Sequence, residues 1–247
     1  AGTTLDCELH WLADLATWDL HLVDITQRKA AEQKLNYQAY HVLDTGLFNR
    51  NKFFQTLEDK TQQSQHFIVG SMEIKKYNQL VSMLGLDQTG SVIKELATFL
   101  SKVYRNCLAN YRYSFFQTSD NQFSIIIEAD ICHGELTKLI KKVESCVESR
   151  SFYNGLYLEL DFGFCCYPEH ATSVSSLLKY VNIALEHAIS TEHSSFIVYQ
   201  PQLGEQLQAE IEMTEKLRKA IENQELELNF QPQLNIITGQ IVGLETL

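Results

Sequence analysis

The chain has 247 residues, 45% of them apolar and 21% charged, with only 3 prolines, which is globular material long enough for one large core or two small ones. Its net charge of -11 argues against nucleic acid or an anionic membrane surface as partner, since phosphates would be repelled, although a locally basic pocket stays compatible. No leader pattern and no apolar run of about 20 residues is present, so no membrane contact is expected.

In chain order, His21 to Ile25 alternates as a strand, in a stretch of about 25 residues that is too short for a core of its own. Thr26 or Asp24 can cap a helix from Lys29 through Gln38, whose stripe Ala31, Leu35, Ala39, Val42 serves either a dimer seam or packing on its own domain. A second helix starts at Asn49-Arg50-Asn51 and runs to Glu58 or Lys60. The apolar run His66 to Ile74 reads as a central buried strand, and Val92 to Tyr104 as an amphipathic helix. Tyr111, Tyr113, Phe115 and then Phe123, Ile125, Ile127 recur at period two around Ser119-Asp120-Asn121-Gln122, which predicts a hairpin whose turn residues tolerate positive φ. Leu136 to Val147 is helical, and Gly155 to Tyr167 is a strand. Ser173 or Thr172 caps a helix with the stripe Leu177, Leu178, Val181, Ala184, Leu185, Ala188, and Phe196 to Tyr199 closes the sheet. Gln200 to Gly204 is a linker, followed by a helix over Glu205 to Asn223. Leu226 to Gln233 and Gln240 to Leu247 then pair about a Thr238-Gly239 turn.

The six cysteines, Cys7, Cys107, Cys132, Cys146, Cys165 and Cys166, show no Cys-x-x-Cys spacing. Cys165 and Cys166 should face opposite sides of a strand, and a reducing cytoplasm fits this usage. The eight histidines form no i, i+4 pair, which argues against a zinc site.

Several of these stretches resemble known families. The run from Leu22 to Glu32, with Asp24-Ile25-Thr26 before Arg28-Lys29, resembles the exit of a PAS sensor domain. Thr45-Gly46-Leu47-x-Asn49-Arg50, Leu84-Gly85 with Gly90, and the hairpin with Phe123 resemble the GGDEF family, which condenses two GTP molecules into cyclic di-GMP. Leu228-x-Phe230-Gln231-Pro232, the Thr238-Gly239 turn and Gly243-x-Glu245-Thr246-Leu247 resemble the start of an EAL domain, a cyclic di-GMP phosphodiesterase or receptor. Their succession implies a PAS–GGDEF–EAL signalling protein. Residues 1–25 would be a PAS remnant, 26–40 a signalling helix, 41–200 a GGDEF domain, and 201–247 a linker helix and truncated EAL start. The implied fold class is α+β, nucleotidyl-cyclase-like and ferredoxin-like, with a central, mostly antiparallel sheet flanked by helices.

The resemblance also shows what is missing. Where the family has Gly-Gly-Asp-Glu-Phe, this chain has Ser119-Asp120-Asn121-Gln122-Phe123, so a metal ligand and a proposed base become amides that cannot take a proton near neutral pH. Asp120 is a turn former or a displaced acid, the turn former being the ordinary reading. Glu73 falls on a family metal ligand and Lys75 on the following acid. Glu73 is either a vestigial ligand or an ion-paired strand end, with the Lys75 ammonium standing in for a cation. Asn78 falls on a lysine, Val81 and Ser91 fall on guanine contacts, Ile189 and His193 on triphosphate contacts, and Asn110 and Tyr113 on the inhibitory product site. Asp161 takes the place of a serine. No catalytic residue is expected, and no cofactor in this chain. In a complete EAL domain Glu245 would ligate Mg or Mn, and Gln231 and Leu247 would contact cyclic di-GMP. The implied function is an inactive GGDEF-like module relaying a PAS signal to an EAL domain, with a homodimer through helix 26–40 as its partner contact. Alternatives are the regulatory front half of an active phosphodiesterase, and a cyclase or GTP sensor with a divergent site.

Overall fold

The computed structural model describes residues 3–12, 17–63, 65–129, 133–153, 155–191 and 196–246, and divides them between two units, Ala1–Gln200 and Pro201–Leu247. Leu5–Leu12 (β1) and Thr17–Asp24 (β2) pair as an antiparallel hairpin, with Trp11 opposite Trp18. The sequence reading had found only the second of these strands. Its helix follows as Thr26–Tyr40 (α1), but Val42 lies beyond the helix end and the whole helix is exposed, with Leu35 at 65%. Asp24 Oδ1 accepts from the Thr26 N–H at 2.9 Å as the chain turns into α1.

Next come Arg50–Gln62 (α2), Phe67–Ile74 (β3), Tyr77–Leu84 (α3) and Leu86–Cys107 (α4). Asn49 caps α2 by accepting from the Lys52 N–H, the role its position predicts. Arg112–Gln117 (β4) and Gln122–Glu128 (β5) form the expected hairpin, then His133–Glu148 (α5). The β4–β5 turn uses no positive φ. It closes through Thr118 and Ser119 N–H groups, both donating to the Gln122 carbonyl. The single strand expected over 155–167 is instead broken. Ser151–Phe152 (β6) and Leu156–Tyr157 (β7) make a small hairpin before Leu160–Tyr167 (β8) begins. Val174–Ser190 (α6), with a Ser173–Ser176 capping box, and Phe196–Val198 (β9) complete the unit.

The main sheet has the order β4-β5-β3-β8-β9, antiparallel throughout except for the β8–β9 pair. This is the α+β architecture expected. Both faces are covered, which is why β3 reads as a continuous apolar run rather than an alternating one. Met72, Phe123, Ile125 and Phe115 pack beneath α4 and α5 in one core layer. Val69, Phe116 and Ile126 are buried on the opposite face, where α2 and α6 lie with Leu57, Leu177 and Val181. At Gly163 a β-carbon would collide with the Leu185 and Val181 backbone, so the glycine is what lets α6 lie directly on β8. Gly46, at φ 71, makes the Thr-Gly-Leu turn, and Thr45 Oγ1 donates to Gln117 Oε1 at 2.7 Å, so this opening motif braces β4.

In the second unit the expected linker is already helical, since α7 spans Pro201–Glu222 with proline at a first-turn position that tolerates it. Phe230–Leu234 (β10) and Ile241–Thr246 (β11) pair antiparallel, with Gly239 at φ 67 in the turn and exposed side chains on both strands.

Candidate functional site

The end of β3 is where the chemistry-bearing residues meet. Register places Glu73 opposite Gln122 on one neighbour and Asp161 on the other. The backbone then locks the corner: Ile74 N–H donates to the Asn121 carbonyl at 3.1 Å, and Lys75 N–H to the Glu159 carbonyl at 3.0 Å. Lys76 takes up φ 54, a left-handed value uncommon for a side-chain-bearing residue, and so reverses the chain into α3. The result is a cleft of about 590 Å³ lined by Glu73, Lys75, Tyr77, Asn121, Asp161 and Ile189 among others.

Its electrostatics differ from the expected pairing. Lys75 does not pair with Glu73. Its Nζ lies 3.2 Å from Asp161 Oδ1 and 3.9 Å from a Glu159 oxygen. The reason is register: β3 ends at Ile74, so Lys75 leaves the strand's alternation and reaches across to β8. Asp161 is the reason that ammonium is needed. Its side chain is only 3% exposed, and although Lys75 supplies opposite charge, no donor is aligned on Oδ1 as a hydrogen bond. Burial pushes the Asp161 carboxyl above its ordinary range, with Lys75 pulling the other way.

Glu73 is treated differently. Burial raises its carboxyl first, the charges of Glu186 and Asp161 raise it further, and a hydrogen bond from the Asn121 side chain opposes them. The other end of that amide is used as well, because Ser119 Oγ donates to Asn121 Oδ1 at 2.9 Å. Asn121 is therefore fixed on the turn through its side-chain oxygen and tied to the end of β3 through its backbone carbonyl. Tyr77 has its hydroxyl pushed up by burial and by the charge of Asp120, which sits exposed on the turn. Gln122 Oε1 lies 3.4 Å from Thr118 Oγ1, and Phe123 is fully buried.

The remaining predicted positions fall as follows. Ile189 lines the cleft with an exposed aliphatic side chain, which offers phosphate no donor. Ser91 turns its hydroxyl to the Asp87 carbonyl of its own helix, and Val81 lies half-buried on α3. His193, Leu247 and Cys132 lie outside the described residues. In the second unit, Gln231 and Glu245 are cross-strand partners, so register brings together two of the three residues singled out there. A dinuclear magnesium site does not fit the cleft, because the turn brings an amide, Asn121, beside Glu73 and the Lys75 ammonium occupies the neighbouring carboxylate of Asp161. Sequence reasoning missed the Asp161–Lys75 pair. The signal was present: a lone aspartate inside the apolar run from Leu160 to Tyr167 requires a partner.

Comparison with known proteins places these features in context. A family model described as "Diguanylate cyclase, GGDEF domain" matches residues 42–195. An uncharacterized protein of Synechocystis, sll1895, is 26% identical over 97% of this chain and 34% of its own length. The Pseudomonas aeruginosa cyclic di-GMP phosphodiesterase NbdA is 24% identical over 90% of this chain and 28% of its own length. The chain thus spans about a third of these curated relatives or less. Among solved structures, the S helix–GGDEF–EAL portion of Vibrio cholerae LapD, bound to cyclic di-GMP, superposes with a TM-score of 0.61. That match is 20% identical and covers 90% of this chain and 51% of LapD's, which speaks to fold alone.

Proposed function

The chain belongs to the GGDEF domain family, and on that premise we propose that its GGDEF domain is a catalytically inactive regulatory module of a bacterial cyclic di-GMP signalling protein. One observation carries this reading: amides, Asn121 and Gln122, stand where the family has carboxylates, and in the same cleft the Lys75 ammonium lies 3.2 Å from Asp161 Oδ1, so the chain's own cation sits where a metal ion would be drawn. The β1–β2 hairpin leads through one residue into α1, which suits relay of a PAS signal, and α7 with β10–β11 suits handover to an EAL domain. A homodimer through helix 26–40, with Leu35 in its seam, would carry that signal.

The test is calorimetry of the chain with GTP and Mg²⁺, beside an assay for cyclic di-GMP synthesis. Neither binding nor product is expected, and restoring Asn121→Asp with Gln122→Glu should rescue neither, because Lys75, Val81, Ser91 and Ile189 remain. Micromolar GTP binding by the unaltered chain would overturn the proposal.

A second reading is favoured by the names of two relatives, NbdA and Escherichia coli PdeR, both cyclic di-GMP phosphodiesterases. On it, this chain is the regulatory front half of such an enzyme in the cytoplasm. Glu245 would ligate Mg or Mn in the complete EAL domain, and Gln231 and Leu247 would contact the dinucleotide. Hydrolysis by the full-length protein that is lost on Glu245→Ala supports this reading, and hydrolysis indifferent to that change removes it. No described helix is long and apolar enough to cross a membrane.

A further inference from the structure

At the far end of β8 from the cleft, roughly 17 Å along the strand from Asp161, the chain groups three metal-binding side chains. We propose that Cys166 Sγ, a Glu169 carboxylate oxygen and a ring nitrogen of His170 form a site for a borderline-soft divalent metal ion of the zinc class. These three donor atoms all lie within 4.8 Å of one another. Bonded tetrahedrally at zinc distances, sulfur, nitrogen and oxygen donors sit roughly 3.3–3.8 Å apart, so a contraction of about 1 Å completes the site. Glu169 is exposed and free to swing through that distance, while Cys166 and His170 are half-buried and set the geometry.

The loop is already folded for the task. His170 N–H donates to the Cys166 carbonyl at 2.9 Å, and Cys166 N–H donates to His170 Nδ1 at 3.1 Å, closing a five-residue turn that includes Pro168. His170 Nε2 lies 3.9 Å from Glu169 Oε1, and its ring meets Tyr199 edge-on, which fixes its orientation. Metal binding gives up the Cys166 N–H hydrogen bond for a coordinate bond and releases the thiol proton to solvent. Three protein ligands leave one position for water. A hollow of about 200 Å³ beside Cys166 and Glu169 gives that water access. A thiolate and an imidazole select zinc, or cobalt as its probe, over magnesium. The sequence argument against zinc looked for paired histidines. The donors here are Cys, Glu and His at i, i+3 and i+4, brought together by a turn and not by a helix face.

The experiment uses the full chain, reduced and stripped of metal with a chelator. Zn²⁺ is titrated in competition with a chromophoric chelator, and Co²⁺ is followed by its thiolate-to-cobalt absorption in the near ultraviolet. One equivalent is expected, with the thiolate band lost in Cys166→Ser and kept in Cys7→Ser. Affinity should fall about tenfold or more in His170→Ala and in Glu169→Gln. Unchanged affinity in Cys166→Ser, or a cobalt spectrum without a thiolate band, would overturn the proposal. If His170→Ala fails to fold, Glu169→Gln, which alters only an exposed side chain, decides: unchanged affinity there removes the three-ligand site.

Discussion

Two hairpins in this chain are built from similar material and meet opposite fates. β4–β5 and β10–β11 are both short antiparallel pairs rich in Phe, Ile and Leu, joined by polar turns. In the first, Phe123 is fully buried; in the second, Phe230 is 57% exposed. Pairing is local in both cases, since it follows from turn chemistry and alternation. Burial is not local. It depends on β5 lying beside β3, with α4 and α5 covering one face and α2 and α6 the other. A hairpin becomes a rigid platform for side-chain chemistry only when something covers it, which is why the cleft lined by Glu73 and Asn121 sits at the first hairpin.

The contrast breaks most visibly at its aromatic residues. Phe123→Ala should cost about 3–5 kcal/mol through lost burial and an unfilled cavity, whereas Phe230→Ala should stay within about 0.5 kcal/mol. Urea unfolding of both variants checks this, and similar costs would mean that the second hairpin is also covered. Lys75→Met comes next. It leaves Asp161 buried without its ammonium, at about 2–3 kcal/mol near neutral pH, less than a fully buried pair because Lys75 is itself part-exposed. That cost should shrink on acidification, as Asp161 takes up a proton and no longer needs a counter-charge. A cost independent of pH would show that Lys75 acts by packing alone.

Ser173→Ala should remove the capping box of α6 and about 1 kcal/mol with it, readable as a lower Tm. The smallest effect is at Glu73. Its carboxyl is raised in the folded state, so the folded protein holds that proton more tightly than the unfolded chain. The stability this contributes is fully present below the ordinary carboxylate pKa and is lost as pH rises through the raised one. Glu73→Gln should therefore flatten the acid side of the stability profile and stabilise the neutral side by less than about 1 kcal/mol. A profile unchanged by the substitution would remove Glu73 from the list of titrating groups.

Much of the architecture was legible beforehand, and the misses have physical reasons. Ser173 was readable as one of two candidate caps because a cap is a bond to a backbone three residues away. The break between β7 and β8 was not, because Leu156, Leu158 and Leu160 keep perfect alternation across it. The cleft was half legible. That Asn121 and Gln122 are amides could be read directly, but the reach of Lys75 to Asp161 could not, since it depends on how β3 meets β8.

By itself, then, the sequence determined most of the helices, the β4–β5 and β10–β11 pairings, the cap of α6, and the amides at the β4–β5 turn. These rest on interactions within a few residues or on side-chain identity. Tertiary structure decided that Lys75 serves Asp161 and not Glu73, that Asn121 and Glu73 line one cleft, and that Cys166, Glu169 and His170 converge. Strand register and loop closure set those partners. Both are chosen by the burial of whole faces, which no short stretch of sequence contains.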